Sequence, residues 1–220
     1  MIRKAAFLSL ALAAGIVSAA PIPAATYNSN IDKAIYTLPA ASSTSVFVGF
    51  DFSFTGTIGN NDFLGVWFGD STKKDTKGSD GPNFGFKANK GDGSGTADVF
   101  GRTFGTNGDF VAGSDLKAGT TYKLFAHLYK TDNSSVFNAM DVWLNPTANE
   151  MWSLTGADIT TTGVSKFSKI DTIGIRTANI DNGVVLNVNN LRINEIPEPG
   201  SVALMGLALA GLAAARRKRA

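Results

Sequence analysis

The stretch TSVFVGFDFSFTG, residues 44–56, alternates without a break. Val46, Val48, Phe50, Phe52 and Phe54 fall on one side, and Phe47, Gly49, Asp51 and Ser53 on the other. A period of two, built from β-branched and aromatic residues, is the mark of a strand with one buried face. Working outward, strand-like runs recur at 63–69, 83–88, 98–104, 121–130, 137–145, 169–177 and 183–193. Turn-forming stretches such as GDSTKKDTKGSDGP and NKGDGSG separate them. No segment between the chain ends keeps an apolar period of 3.6, and no internal repeat is visible. Many strands, many glycines and no helices predict an all-β fold, a two-sheet antiparallel β-sandwich of jelly-roll type.

The two ends have a different composition. Residues 1–20, MIRKAAFLSLALAAGIVSAA, carry Arg3 and Lys4, an apolar run and a small-residue site ending at Ala19 and Ala20. That is the pattern of a secretory signal peptide, cleaved after Ala19 or Ala20. The other end, residues 196–220, reads IPEPGSVALMGLALAGLAAARRKRA. Pro197 and Pro199 fix φ and lack an N–H, so Glu198 is held in an extended segment. An uncharged span follows at 201–215, and Arg216, Arg217, Lys218 and Arg219 close it. Fifteen residues make a helix of roughly 22 Å against the ~30 Å hydrocarbon core, a gap that snorkelling arginines and local thinning can close. Basic residues stay on the cytoplasmic side, so this hydrophobic helix holds the precursor in the inner membrane with residues 21–195 outside.

Composition excludes several classes of function. Six of the 20 basic residues (Arg3, Lys4 and the four tail cations) lie at the ends, leaving 14 against 18 acidic residues, a net of −4. Nucleic acid is therefore not expected as a partner, because counterion release needs clustered cations on the folded surface. Cysteine is absent, so the exported domain holds together through its core alone or with a metal. The remaining ~175 residues are enough for one domain with a substantial core.

The tail PEPGSVALMGLALAGLAAARRKR resembles the PEP-CTERM sorting signal of exported bacterial proteins. In that family the tail is read by exosortase, an intramembrane cysteine transpeptidase, and the proteins often accompany exopolysaccharide production. The resemblance implies that Pro197, Glu198 and Pro199 form the sorting motif and Arg216–Arg219 its cytoplasmic basic cluster. It further implies an exosortase-like partner and a final place at the cell surface or in the extracellular matrix. The body resembles a laminin-G or concanavalin A-like domain through GPNFGFKANKGDGSG, GTTYKLFAHLYKT, MDVWLNPT, FSKIDTIGIRTAN and VNNLRI, in that order. That resemblance implies a sandwich of two curved sheets and no single activity.

Candidate chemistry is sparse. Glutamate occurs only at Glu150, Glu195 and Glu198, and no Glu-x-Asp-x-x-Glu arrangement supplies the paired carboxylates of glycoside hydrolysis. His127 is the one histidine, in TYKLFAHLYK, on a strand face with Lys123, Phe125 and Tyr129. No Gly-x-Ser-x-Gly elbow accompanies it. Zinc has no ligand set, and no cofactor is expected. GDGSG at 91–95 lacks the Lys-Ser/Thr of a phosphate loop and reads as a turn. Calcium through loop oxygens at Asp70, Asp75, Asp80 and Asp92 stays open, although no spacing there matches an EF-hand.

Alternation in MDVWLNPT puts Trp143 opposite Met140, Val142 and Leu144, on the same kind of outer face as His127 and Tyr129. Trp143, His127 and Tyr129 are therefore the expected ligand face, suited to sugar rings if Trp143 is open, and simply packing if a loop covers it. The sequence thus describes a non-enzymatic surface or matrix protein that binds polysaccharide or itself. The alternative is a secreted carbohydrate-active hydrolase whose catalytic residues are not recognisable.

Overall fold

The computed structural model describes residues 23–73 and 81–194. Residues 1–22, 74–80 and 195–220, and with them the expected signal peptide, the expected tail helix, Asp75 and Asp80, lie outside the described residues. Two six-stranded sheets, antiparallel at every pairing, pack face to face.

The first sheet runs β1 (Ala25–Tyr27), β12 (Val185–Ile193), β3 (Ser45–Thr55), β8 (Tyr122–Tyr129), β9 (Ala139–Leu144) and β10 (Ile159–Thr162). The second runs β2 (Ile31–Ser42), β11 (Ile170–Ala178), β4 (Phe63–Gly69), β5 (Asn83–Lys87), β6 (Val99–Arg102) and β7 (Asp109–Phe110). β4 to β7 form one meander and β8 to β10 another. β11 enters the second sheet between β2 and β4, and β12 enters the first between β1 and β3.

The alternation at 44–56 does what its period requires. Val46, Val48, Phe50, Phe52 and Phe54 are all buried, facing Leu64, Val66, Phe68, Phe84 and Phe86 of the second sheet in one core. Phe52 and Phe86 stack at 5.0 Å, Phe54 and Phe86 at 5.6 Å, and Phe50 meets Phe84 at 5.5 Å. Aromatic pairs at such spacings stabilise beyond their area burial.

Four strands and a helix depart from the expected pattern. β2 is a long edge strand in which Leu38 alone is buried, so nothing alternates for a reader to find, and Asp32, Lys33 and Pro39 read as loop. Charges and proline suit an open sheet edge, where they oppose pairing with a stray strand. β1, β7 and β10 are too short to show a period.

The helix α1 (Ala148–Ser153) contradicts the expectation of none. A capping box makes it: the Thr147 hydroxyl accepts from the Glu150 N–H, and the Glu150 carboxylate accepts from the Thr147 N–H at 2.7 Å. Six residues are too few to display a 3.6 period. The expected turn at 91–95 follows a short 3-10 helix, Ala88–Gly91, and is tightest at residues 92–93, with Gly91 and Gly93 at positive φ.

Candidate ligand-binding faces

The outer face of the first sheet carries the residues opposite the core: Phe47, Gly49 and Asp51 from β3, Lys123, Phe125, His127 and Tyr129 from β8, and Asp141 and Trp143 from β9. Register places Phe47, His127 and Asp141 in one row, and Gly49, Phe125 and Trp143 in the next. Expected facing and observed facing agree.

Trp143 is nonetheless only 1% exposed. α1 folds over it, so that Met151, Phe125 and Trp143 form a second small core, and the indole Nε1 donates to the Thr155 carbonyl at 2.9 Å. The expected ligand face of Trp143, His127 and Tyr129 therefore loses its tryptophan. Trp143 points outward from the sheet and inward beneath a helix that the sequence pattern hides.

His127 and Tyr129 remain partly open. The imidazole lies between two rings, stacked on Phe47 at 4.4 Å and on Tyr129 at 4.6 Å. Burial holds its pKa below the ordinary value, an effect the facing Asp141 carboxylate partly offsets. Asp141 also accepts from the Thr160 hydroxyl at 2.6 Å. Among the described residues no serine or threonine hydroxyl is hydrogen-bonded to His127. Tyr129 has its phenol raised, first by burial and then by Asp141.

A lowered histidine pKa has a definite consequence for stability. The fold prefers the neutral ring, so this contribution is complete above about pH 6.5 and is lost as the pH falls from there through the folded-state pKa. Urea midpoints measured from about pH 7.5 down to about pH 5.5 should fall more in the wild type than in His127→Gln. Parallel curves would place the acid sensitivity elsewhere.

One cleft, of about 290 Å³, opens on this face beside α1. Gly49 and Phe125 line its base, Met151 and Ala148 its helical wall, and Asp51, Lys123, Asn190 and Arg192 its polar rim. Gly49 matters because a Cβ there would press on the Phe125 ring, at 3.3 Å. The β12 ladder slips register between Asn189 and Arg192, and Asn190 takes φ +51°. Such a bulge re-aims side chains, and the Asn190 amide donates to Asp51 Oδ2 at 2.6 Å. Sequence facing could find Asp51 and Lys123. It could not find Asn190, because the bulge leaves no mark in the alternation.

Of the four calcium candidates, Asp70 and Asp92 lie among the described residues. Asp70 is buried, accepts from the Thr72 N–H and hydroxyl, and lies 3.6 Å from the Lys169 ammonium. Asp92 is in the 91–95 turn, where it accepts from the Ser94 N–H. Among the described residues no group of three or more acidic or imidazole side chains is placed to hold a metal ion.

The fold and these faces define a nearly all-β, two-sheet sandwich with a cleft beside α1 on the outer face of the first sheet. Residues 195–219 match the PEP-CTERM protein-sorting motif. That match begins two residues after β12 ends.

No curated protein matches the chain significantly. Among solved structures the chain is similar to the alginate lyase Aly36B, at 13% identity and TM-score 0.46, over 80% of this chain and 81% of that one. It is similar to the carbohydrate recognition domain of Emp47p, at 10% identity and TM-score 0.46, over 79% and 88%. It is also similar to a Lotus tetragonolobus seed lectin, at 10% identity and TM-score 0.42, over 80% and 82%. The laminin-G part of the resemblance has no counterpart among these three.

Proposed function

We propose that the chain is an exported surface or matrix protein, delivered through its C-terminal motif, whose sandwich binds polysaccharide or a second copy of itself without catalysing a reaction. The observation that carries this is the sorting motif at 195–219, directly after the final strand. In this organisation residues 1–20 are the removed leader, 21–195 the working domain and 196–220 the tail. The precursor sits in the inner membrane until an exosortase-like enzyme, reading Pro197, Glu198 and Pro199, releases the domain to the surface or matrix.

The cleft beside α1 supports a sugar ligand. Its rim of an amide, a carboxylate, an ammonium and a guanidinium suits the hydroxyl-bearing edges of a sugar. The scarcity of glutamate and the ring-stacked His127 support a binding role over a hydrolytic one.

The test is a glycan array, including the polysaccharide of the producing cell, probed with the full chain and with Lys123→Ala and Asn190→Ala. Binding that weakens about tenfold in either variant supports the cleft, since a hydrogen bond to a charged group contributes ~1.5–3 kcal/mol. Unchanged binding removes the cleft from the proposal. Shortened sugars in the wash would instead identify a carbohydrate-cleaving enzyme.

A further inference from the structure

The outer face of the second sheet has a different character. Register aligns Arg176 of β11, Gly65 of β4, Gly85 of β5 and Phe100 of β6 in a single row. The two opposed glycines leave a trough in the pleated surface, and the Phe63 ring lies across Gly65, where a Cβ would strike its Cζ at 2.7 Å. Two guanidinium groups sit over that ring, Arg102 at 5.7 Å and Arg176 at 6.0 Å. Lys87, opposite Phe63 in the ladder, completes the group.

All three cations line one cleft of about 180 Å³ whose other polar walls are Asn61, Thr106 and Asn179. No carboxylate lines it. The cleft is the middle of a longer groove. On one side Arg176, Ala178 and Asn179 are shared with a cleft of about 530 Å³. On the other, Lys87 and Thr106 are shared with one of about 450 Å³. Carboxylates flank the cleft on both sides: Asp32 stands opposite Arg176 in the β11–β2 pairing, Asp92 acts by charge on Lys87, and Asp109 lies beyond.

We infer that this groove binds a linear, carboxylate-bearing polysaccharide, with an acid group of the chain seated between Lys87 and Arg176. A groove crossing several strands fits an extended polymer, whereas a small ion would need a closed pocket. Cations gathered over an apolar ring in a partly desolvated cleft repel one another until an anion arrives. Burial first, and then Arg176, hold the Arg102 guanidinium down at about 10; burial first, and then Arg102, hold the Lys87 ammonium below its ordinary value, with Asp92 pulling the other way. Arg102, 6% exposed and donating to the Thr106 carbonyl at 2.8 Å, is the fixed strut. Lys87 and Arg176 are the contact residues.

This assignment rests on the polysaccharide-binding proposal for the ligand being a sugar polymer, but it uses a face remote in the fold from the cleft beside α1. The experiment is calorimetric titration of the full chain, in mild detergent, with a tetramer of galacturonic acid, a neutral glucan of equal length, and inorganic phosphate. The uronate should bind, and Lys87→Gln with Arg176→Gln should weaken it at least about tenfold, while Lys166→Gln leaves it unchanged. Binding should also weaken as salt rises. Circular dichroism melts of the variants guard against misfolding, and each single substitution provides a milder version of the test. Equal affinity in wild type and double variant overturns the groove while leaving the polysaccharide proposal standing. So does a neutral glucan that binds as tightly as the uronate. Phosphate that competes as well as the tetramer, or no uronate binding at all, overturns the assignment of an acidic polymer.

Discussion

Glu198→Ala leaves export intact and traps the precursor in the inner membrane. If apolarity alone retained and released this protein, the triplet Pro197-Glu198-Pro199 would be dispensable, because a helix can begin after any loop. In the proposed reading, two prolines, which disfavour helix for the residue between them, would offer an extended backbone and one carboxylate to the processing enzyme. A processing enzyme can then bind backbone and charge together, as extended peptides are commonly recognised. A short span of alanine and glycine also holds the bilayer less firmly than a long leucine-rich one, which suits a temporary anchor.

Loss of a charge-assisted contact of ~1.5–3 kcal/mol lowers processing by about 10- to 100-fold, so uncleaved precursor becomes the dominant form. Replacing both prolines with alanine has the same direction, because it frees the backbone the enzyme must bind. Intact mass and membrane fractionation, in a host carrying the processing enzyme, provide the measurement. Equal processing of wild type and variant would make the tail an ordinary anchor.

Phe52→Ala removes about 3–5 kcal/mol of stability, the usual cost of emptying a fully packed aromatic site. Phe52 is completely buried, with Phe86 of the opposite sheet at 5.0 Å and Phe54 of its own strand at 6.2 Å. Its ring therefore joins the two sheets, and neighbours fixed in two separate backbones cannot both collapse into the space it leaves. Against a total of about 5–15 kcal/mol for a domain, that loss brings the protein near its folding limit. The urea midpoint should fall steeply with the slope unchanged. A loss below about 1 kcal/mol would mean that the inner faces are loosely packed there.

The fold was legible wherever burial is one-sided. β3, β8, β9 and β12 pack one face on the core and leave the other face outward, so alternation revealed both their existence and the side each residue would face. β2 was not legible, because an edge strand with one buried residue has no pattern to show. Site residues followed the same physics. His127, Tyr129, Lys123 and Asp51 could be placed on an outer face from alternation. Their partners could not, because cross-strand register joins residues far apart in sequence, as Phe47 joins His127. Trp143 shows the limit. Alternation gave its facing but left open whether it was exposed or covered, since a six-residue helix, signalled only by the Thr147 and Glu150 cap, covers it. The cationic groove on the second sheet was equally hidden, because Lys87, Arg102 and Arg176 come from three strands and meet only through pairing.

β12 and β11, each inserted between strands made much earlier in the chain, constrain when this protein can fold. β1 and β3 have no direct hydrogen bonds to each other, and neither do β2 and β4; a strand from the far end of the domain must complete each gap. Until residues 170–193 emerge, two sheets stand incomplete, and such distant pairings form slowly. The last strands to be synthesised are therefore the ones that complete both sheets, and the closing strand β12 lies directly before the segment that carries the sorting motif.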